Sequence, residues 1–266
     1  MNPPIQTKFA PPPPPLPPPT APRRVFKVTS GATRNGWKIG IYGPEGIGKS
    51  SLASLCPGVV FADIEKSMDD LNVQKVQGVN NWPDLRAWVQ SLDGGIAGID
   101  SITRAEDWAA QHVIDNKKSN DGIKAVDSLE DFKYKAGLTF CIDEFKRLLA
   151  DIDSARVRGV SFIMIAHSRV NRFKNPDGSD FVRSEPRLID DPKGSNMLQW
   201  VQFLDHLAFI DLDKNIVKGK ASGSGSRTIY LDTSPSRLCK ARGLPNDPIP
   251  FAPGDPTLWR FLGQNV

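Results

Sequence analysis

Apolar positions along the chain follow two alternating rhythms. Short, nearly unbroken apolar runs occur at WKIGIY (37–42), VVFADIE (59–65), GGIAGID (94–100) and VSFIMIAH (160–167). Runs of this length without polar alternation are what a parallel strand covered on both faces presents. Between them the spacing changes to three- and four-residue steps. Residues 49–55 read as a short helix halted by Pro57-Gly58, and Leu85, Trp88, Val89 and Leu92 mark a second helix after Asn81-Trp82-Pro83. The clearest amphipathic helix is predicted over Leu138 to Val157, with Leu138, Ile142, Phe145, Leu149 and Ile152 on one stripe. Residues 104–137 are polar and mixed, which predicts a partly helical insertion with a mobile loop at NKKSNDG. The segment SRVNRFKNPDGSDFVRSEPR after His167 reads as a polar loop to about residue 187. An early strand is predicted at VFKV (25–28) and late ones at HLAFIDL, NIVKG and RTIYLD, the last two joined by a flexible KASGSGS turn. Trp259, Phe261 and Leu262 are expected to pack the proline-rich C-terminal stretch onto the body. Strands alternating with helices imply an α/β fold with a mainly parallel central sheet flanked by helices, followed by a C-terminal β-hairpin.

Composition narrows this picture. A chain of 266 residues, 39% hydrophobic and 24% charged, can bury one sizeable core. Residues 1–24, which contain PPPPPLPPP, are expected to form a disordered tail, either a spacer or a segment for a partner's aromatic groove. Residues 25–266 are then the globular domain. The net charge of +4 is too mild to mark a nucleic-acid binder by itself. No apolar run approaches the roughly 18 residues that span a bilayer, and the N-terminus lacks the apolar core of a signal peptide. A cytoplasmic protein without a membrane partner is expected. Cys56, Cys141 and Cys239 are odd in number and far apart, which argues against a disulfide framework or a zinc site. His112, His167 and His206 show no metal-ligand spacing.

Candidate chemistry gathers at Gly43-Pro44-Glu45-Gly46-Ile47-Gly48-Lys49-Ser50-Ser51. An apolar strand, a glycine-rich turn and Lys-Ser opening a helix make the phosphate-binding pattern GxxxxGK[ST]. Gly43, Gly46 and Gly48 let successive N–H groups turn toward phosphate oxygens. Lys49 reaches the β- and γ-phosphates, and the Ser50 hydroxyl is placed for a magnesium ion. Magnesium also needs a carboxylate from a neighbouring strand, and Asp100, closing GGIAGID, is the candidate; Asp100-Ser101 also reads as a helix N-cap. Hydrolysis needs a group that orients water, and Glu65 falls at the end of the strand after the loop's helix, where open α/β sheets bind ligands. A solvated acid is the other reading of Glu65.

The combination resembles the RecA-like ATPases, which place a catalytic glutamate in D-x-E after the second core strand, here Asp63-Ile64-Glu65. The same family carries the Asp-Ser pair, here Asp100-Ser101, and a polar γ-phosphate sensor after a further strand. That sensor is usually Gln; the matching residue here is His167. The phage-encoded nucleotide-binding subgroup, which includes single-strand-annealing recombinases, is similar in IYGPEGIGKS, FADIEKSMDDL, Asp-Ser, IAHS and the Asn-Pro-Asp-Gly loop, over residues 35–245 or so. The resemblance implies ATP and magnesium as cofactors, single-stranded DNA and a single-strand-binding protein as partners, and a homo-oligomeric ring or filament with nucleotide between subunits. Lys240 and Arg242 resemble the Lys-x-Arg that reaches a neighbour's nucleotide in DnaB-type helicases and RadA; surface cations are the alternative. Arg169, Arg172, Lys174, Arg183 and Arg187, with Phe173, fall where such proteins hold a DNA-contacting loop, and cations interleaved with aromatics suit single strands; a solvated loop whose charge Asp177, Asp180 and Glu185 largely offset is the other reading. Lys117, Lys118 and Lys124 form a lesser basic group. A DnaB-type motor, a small-molecule kinase and an ATP-dependent loader acting through the tail are the competing readings.

Overall fold

The computed structural model describes residues 35–117, 126–175, 178–217, 220–245 and 247–264. The proline-rich segment, the VFKV strand, Lys118, Lys124 and the middle of the Asn-Pro-Asp-Gly loop lie outside these.

Strands β1 (Lys38–Gly43), β2 (Val59–Asp63) and β4 (Ile96–Asp100) form where the apolar runs predict them. Helix α1 (Lys49–Ser54) follows the glycine-rich turn, and the two-residue β3 (Gln74–Lys75) lies at the sheet edge. Helix α2 (Trp82–Ser91) starts at Asn81, whose side chain accepts from Asp84 N–H, with Pro83 in its first turn. Residues 104–137, expected to be partly helical, hold most of the continuous helix α3 (Ile102–Asn116), on which Ala105, Ala109 and Val113 are buried, while most of NKKSNDG lies outside the described residues. Two short 3₁₀ turns lead into α4 (Ala136–Val157), which buries Ile142, Phe145, Leu149 and Ile152 as its stripe predicts.

The expected loop after His167 is instead a strand. β5 (Ser161–Phe173) continues well past the histidine and turns back antiparallel as β6 (Phe181–Pro186). The short pair β7 (Asp190–Asp191) and β8 (Gly194–Ser195) precedes α5 (Asn196–Phe203), where the sequence carried no prediction. HLAFIDL and NIV are one strand, β9 (His206–Val217), and KASGSGS belongs to its partner β10 (Lys220–Tyr230) rather than to a turn. The connection at 218–219 lies outside the described residues. β11 (Ile249–Phe251) and α6 (Thr257–Phe261) complete the described fold.

The main sheet runs β11-β10-β9-β1-β5-β4-β2-β3, with β6 attached to β5. β9, β1, β5, β4, β2 and β3 are mutually parallel; β10 and β6 run against them, and β11, antiparallel to β10, runs with them. One face packs on α2 through α5, through a core that includes Leu85, Ala105, Phe145, Trp200 and Phe162. The other face packs on α1 and the C-terminal segment, through Ile39, Leu52, Ile163, Leu258 and Trp259. Trp259 also donates its indole N–H to the Leu52 carbonyl at 2.7 Å, whereas Phe261, expected to pack, is 44% exposed. Gly98 explains why the β4 run is weakly hydrophobic: a Cβ there would meet the Phe61 ring at 2.2 Å.

Buried Glu106 on α3 fastens the segment leading into α5, accepting from Ile189 N–H at 2.9 Å and Asn196 Nδ2 at 2.7 Å. Burial pushes its carboxyl from the ordinary 4.5 up to about 7, against those hydrogen bonds. Between these values the folded state holds more protons than the unfolded chain, so this group's contribution to stability falls as pH rises through that window and is flat above it. Glu106→Gln keeps one acceptor and no titration. Thermal melts of the two proteins from about pH 4.5 to 7.5 are expected to differ in slope, by a total on the order of 3 kcal/mol. Identical slopes would refute the assignment.

Candidate active site

The parallel register brings the chemistry-bearing residues to one edge. Gly43 at the end of β1 lies level with His167 on β5, and Asp100 at the end of β4 lies level with Asp63 on β2. Strand direction alone therefore collects the residues from four chain segments at the carboxyl ends, outside which open α/β sheets bind ligands.

The phosphate loop turns between β1 and α1. Gly48 stands at the start of α1 with φ +99°, a conformation that side-chain-bearing residues avoid. Ile47 is buried and anchors the turn, while Pro44, Glu45 and Ser51 are exposed. Lys49 is nearly buried, and its ammonium donates to the Gly43 carbonyl at 3.1 Å and the Pro44 carbonyl at 2.8 Å. Burial lowers the Lys49 pKa, while the charges of Asp100, Glu65 and Glu45 pull it back up. A cation held among loop carbonyls and carboxylates exchanges these partners readily for phosphate oxygens.

Asp100 is 2% exposed. Its Oδ2 accepts from Ser50 Oγ at 2.6 Å and from Ser67 Oγ at 3.1 Å. Burial pushes its pKa up, the neighbouring charges of Glu65 and Asp63 add to that, and the two hydroxyls pull it down. A buried carboxylate touching the loop hydroxyl fits a hard divalent cation, which would share Ser50 and Asp100 with nucleotide oxygens and neutralise charge there. Among the described residues no cluster of three or more His, Cys, Asp or Glu forms a metal cage of its own. Asp63 does not line up as a second ligand, because it accepts from the N–H groups of Ser67 and Met68 at 3.0 and 3.2 Å and so shapes the turn carrying Glu65.

Glu65 lies just past β2, where its backbone N–H and that of Ile64 donate to the Asp100 carbonyl. Its carboxylate accepts from Ser101 Oγ and lies 2.9 Å from His167 Nε2. Burial raises the Glu65 pKa, but hydrogen bonds from His167 and Ser101, with the charges of His167 and Lys49, outweigh it and hold the carboxyl below the usual range. It stays ionised, as an acceptor of a water proton must. His167 is braced in turn by Thr103 Oγ1, which accepts from its backbone N–H at 3.1 Å. His167 Nδ1 is buried without a hydrogen-bond partner, 3.8 Å from Glu45 Oε1, and so is the ring atom available to a ligand. Ser101 caps α3, accepting from Arg104 N–H, so the N-cap and the site use the same Asp-Ser pair. Sequence reasoning missed the braces Ser67 and Thr103. Both flank recognised motifs, which is the signal that could have found them.

The hairpin of β5 and β6 carries the expected DNA-contacting residues and divides them. Arg169 donates to the Leu188 carbonyl and to Asp190, each at 2.9 Å. Arg183 pairs with buried Glu185 and lies 4.2 Å over the Phe173 ring, which itself stacks on Phe181. Arg183 and Phe173 brace the hairpin from within, and Arg169 ties it to the segment after β6. Arg172, Lys174 and Arg187 are exposed, Arg172 lying 3.5 Å from Asp180. Lys117 lies away from them, over Phe140.

Within the chain Lys240 is held at a helix end. Its ammonium donates to the carbonyls of Val201 (3.1 Å), Gln202 (3.0 Å) and Leu204 at the end of α5. A lysine there satisfies orphan carbonyls and complements the helix dipole. Arg242 is 67% exposed, near Asp205 at 3.9 Å. It sits beside His206, level with the start of β1 and at the opposite sheet edge from its own phosphate loop.

A parallel sheet with a glycine-rich loop after its first described strand, Lys-Ser opening the next helix and an aspartate two strands away defines a P-loop nucleotide-binding protein. The family model described as an AAA domain matches residues 35–243, and the chain belongs to that P-loop NTPase-type family. No curated protein matches the chain. Among the described residues no helix is long and apolar enough to cross a membrane.

Lys240→Met is expected to lower unfolding stability by about 1–2 kcal/mol through the uncapped helix end while leaving ATP turnover per folded molecule unchanged. Denaturant melts beside turnover assays check this. Lost turnover in a fully folded variant would restore the finger role.

Proposed function

We propose that the chain binds ATP with magnesium and hydrolyses it as a RecA-like ATPase, using the cycle to regulate contact with single-stranded DNA in recombination, annealing or replication. The observation that carries this reading is the Glu65 carboxylate, ionised and fixed between Ser101 and His167 beside the Ser50–Asp100 pair. Lys49 and the loop N–H groups hold the phosphates. Ser50 and Asp100 are the residues for the metal, which would neutralise phosphate charge. Glu65 orients a water and takes its proton. His167, with Nε2 on Glu65 and Nδ1 unpartnered, reads the γ-phosphate.

The DNA reading rests on chain continuity. His167 is immediately followed by residues 168–173 of β5, which pair with β6 rather than with the body of the sheet. The hairpin displays Arg172 with the exposed apolar side chains of Val170 and Val182, and Lys174 lies at its tip. Cations beside apolar surface suit a single strand, whose phosphates and base faces are both accessible. A small-molecule kinase would not need Glu65 held in this way, and the exposed Arg172, Lys174, Val170 and Val182 favour a nucleic-acid strand over a loader acting through proteins alone.

Glu65→Gln is expected to bind ATP as the unaltered protein does and to lose about 10²–10⁴-fold in turnover, the range for a positioned general base. Equilibrium binding of ATP beside steady-state phosphate release checks both halves. Undiminished turnover would remove Glu65 from the mechanism.

A further inference from the structure

The carboxylates fix which way a nucleotide lies on the loop. Asp100 and Glu65 are on the β4 and β2 side of β1, so the terminal phosphate points there and the nucleoside must leave on the other side, over β9, β10 and β11. A cavity of about 620 Å³ opens on that side, lined in part by Asp213, Arg227, Pro250, Phe251, Ala252 and Asp255. Its size falls in the roughly 300–1,000 Å³ range of small-ligand sites.

Two of its walls reach the phosphate loop. A Cβ placed on Gly48 would stand 2.8 Å from Arg227 Nη1 and 3.2 Å from Phe251 Cε1. Arg227 and Phe251 are register partners of the β10–β11 pair, so they present neighbouring side chains to the loop. Among the described residues the Arg227 guanidinium has neither a hydrogen-bond nor an ion-pair partner. A half-buried arginine at a phosphate loop with no acceptor of its own points to an absent anion. Two oriented carboxylates also line the cavity. Asp213 accepts from Thr228 Oγ1 at 2.7 Å, and Asp255 Oδ1 accepts from Thr257 Oγ1 at 2.6 Å. Each carboxylate is thereby oriented while keeping acceptor capacity.

We propose that this cavity holds the nucleoside end of the bound nucleotide. Phe251 and Pro250 wall the base, Asp213 and Asp255 accept from the ribose hydroxyls, and Arg227 meets the phosphate nearest the sugar. The inference rests on the nucleotide reading above and adds which residues of this chain select a nucleoside triphosphate over phosphate alone.

Calorimetric titration of the full chain with magnesium and either ATP or inorganic tripolyphosphate tests it, tripolyphosphate being the probe without a nucleoside. The unaltered protein is expected to bind ATP at least about tenfold more tightly than tripolyphosphate, a difference of about 1.4 kcal/mol. Ala252→Trp, at an exposed position, fills the cavity and is expected to abolish that preference while leaving tripolyphosphate binding intact. Arg227→Gln is expected to weaken ATP about tenfold or more, the scale of a lost charge-assisted hydrogen bond, and carries the test if the tryptophan variant does not fold. Unchanged ATP affinity in either folded variant overturns the proposal, as does equal binding of the two probes by the unaltered protein. In both cases the phosphate-loop reading stands, provided Lys49→Ala loses both probes. Binding of both probes by Lys49→Ala as by the unaltered protein overturns the loop reading and the proposal together.

Discussion

A carboxylate buried at the end of a strand, held directly by two hydroxyls with the Lys49 charge further off, is the constraint around which the edge of this sheet is arranged. Asp100 has no cation within ion-pair distance among the described residues, and its side chain leans on Ser50 from the phosphate loop and Ser67 from the turn after β2. Burying a charge this way is costly unless something else stabilises the site. A divalent cation bound with a nucleotide would supply that stabilisation. The backbone of the same residue holds Glu65 in place through its carbonyl. One position thus links the phosphate loop, Ser50 and Ser67 with Glu65, and the parallel register of β1, β5, β4 and β2 makes the meeting possible.

From that edge the structure runs outward in two directions. Toward β2 it presents charge: Glu65, Ser101 and His167 form a chain of hydrogen bonds that ends on the strand leading into the hairpin. Toward β10 it presents a cavity with one unpaired guanidinium against the loop. The two sides suit the two ends of one nucleotide. Arg183 with Glu185 stiffens the hairpin and Arg169 with Asp190 ties it to the segment after β6, so a shift at His167 is carried by ordered structure rather than by a slack loop.

Much of this was legible in the sequence, for physical reasons that differ by element. Strands β1, β2 and the first part of β5 are buried on both faces, so their apolar runs stand out. The phosphate loop was legible because its glycines and Lys-Ser are dictated by backbone geometry. Helix α3 was obscured because its buried face is built from Ala105, Ala109 and Val113 around the buried Glu106, which leaves no large apolar stripe. The outer half of β5 resembles a loop because arginines and Asn171 alternate with Val170 in a ribbon with no covered face. The glycines and serines of β10 mimic a turn for a similar reason. The place of Lys240 was not legible because a sequence shows a charge but not the three carbonyls that receive it.

The most direct test of the coupling between nucleotide site and hairpin is the ATP turnover rate of the full chain with and without a single-stranded oligonucleotide, in magnesium at moderate salt. If His167 carries the state of the γ-phosphate into the hairpin, turnover rises several-fold on adding the strand, and raising salt reverses the gain as phosphate contacts are screened. Equal rates with and without DNA, in a protein shown to bind and hydrolyse ATP, would contradict the account and favour a switch acting through protein partners.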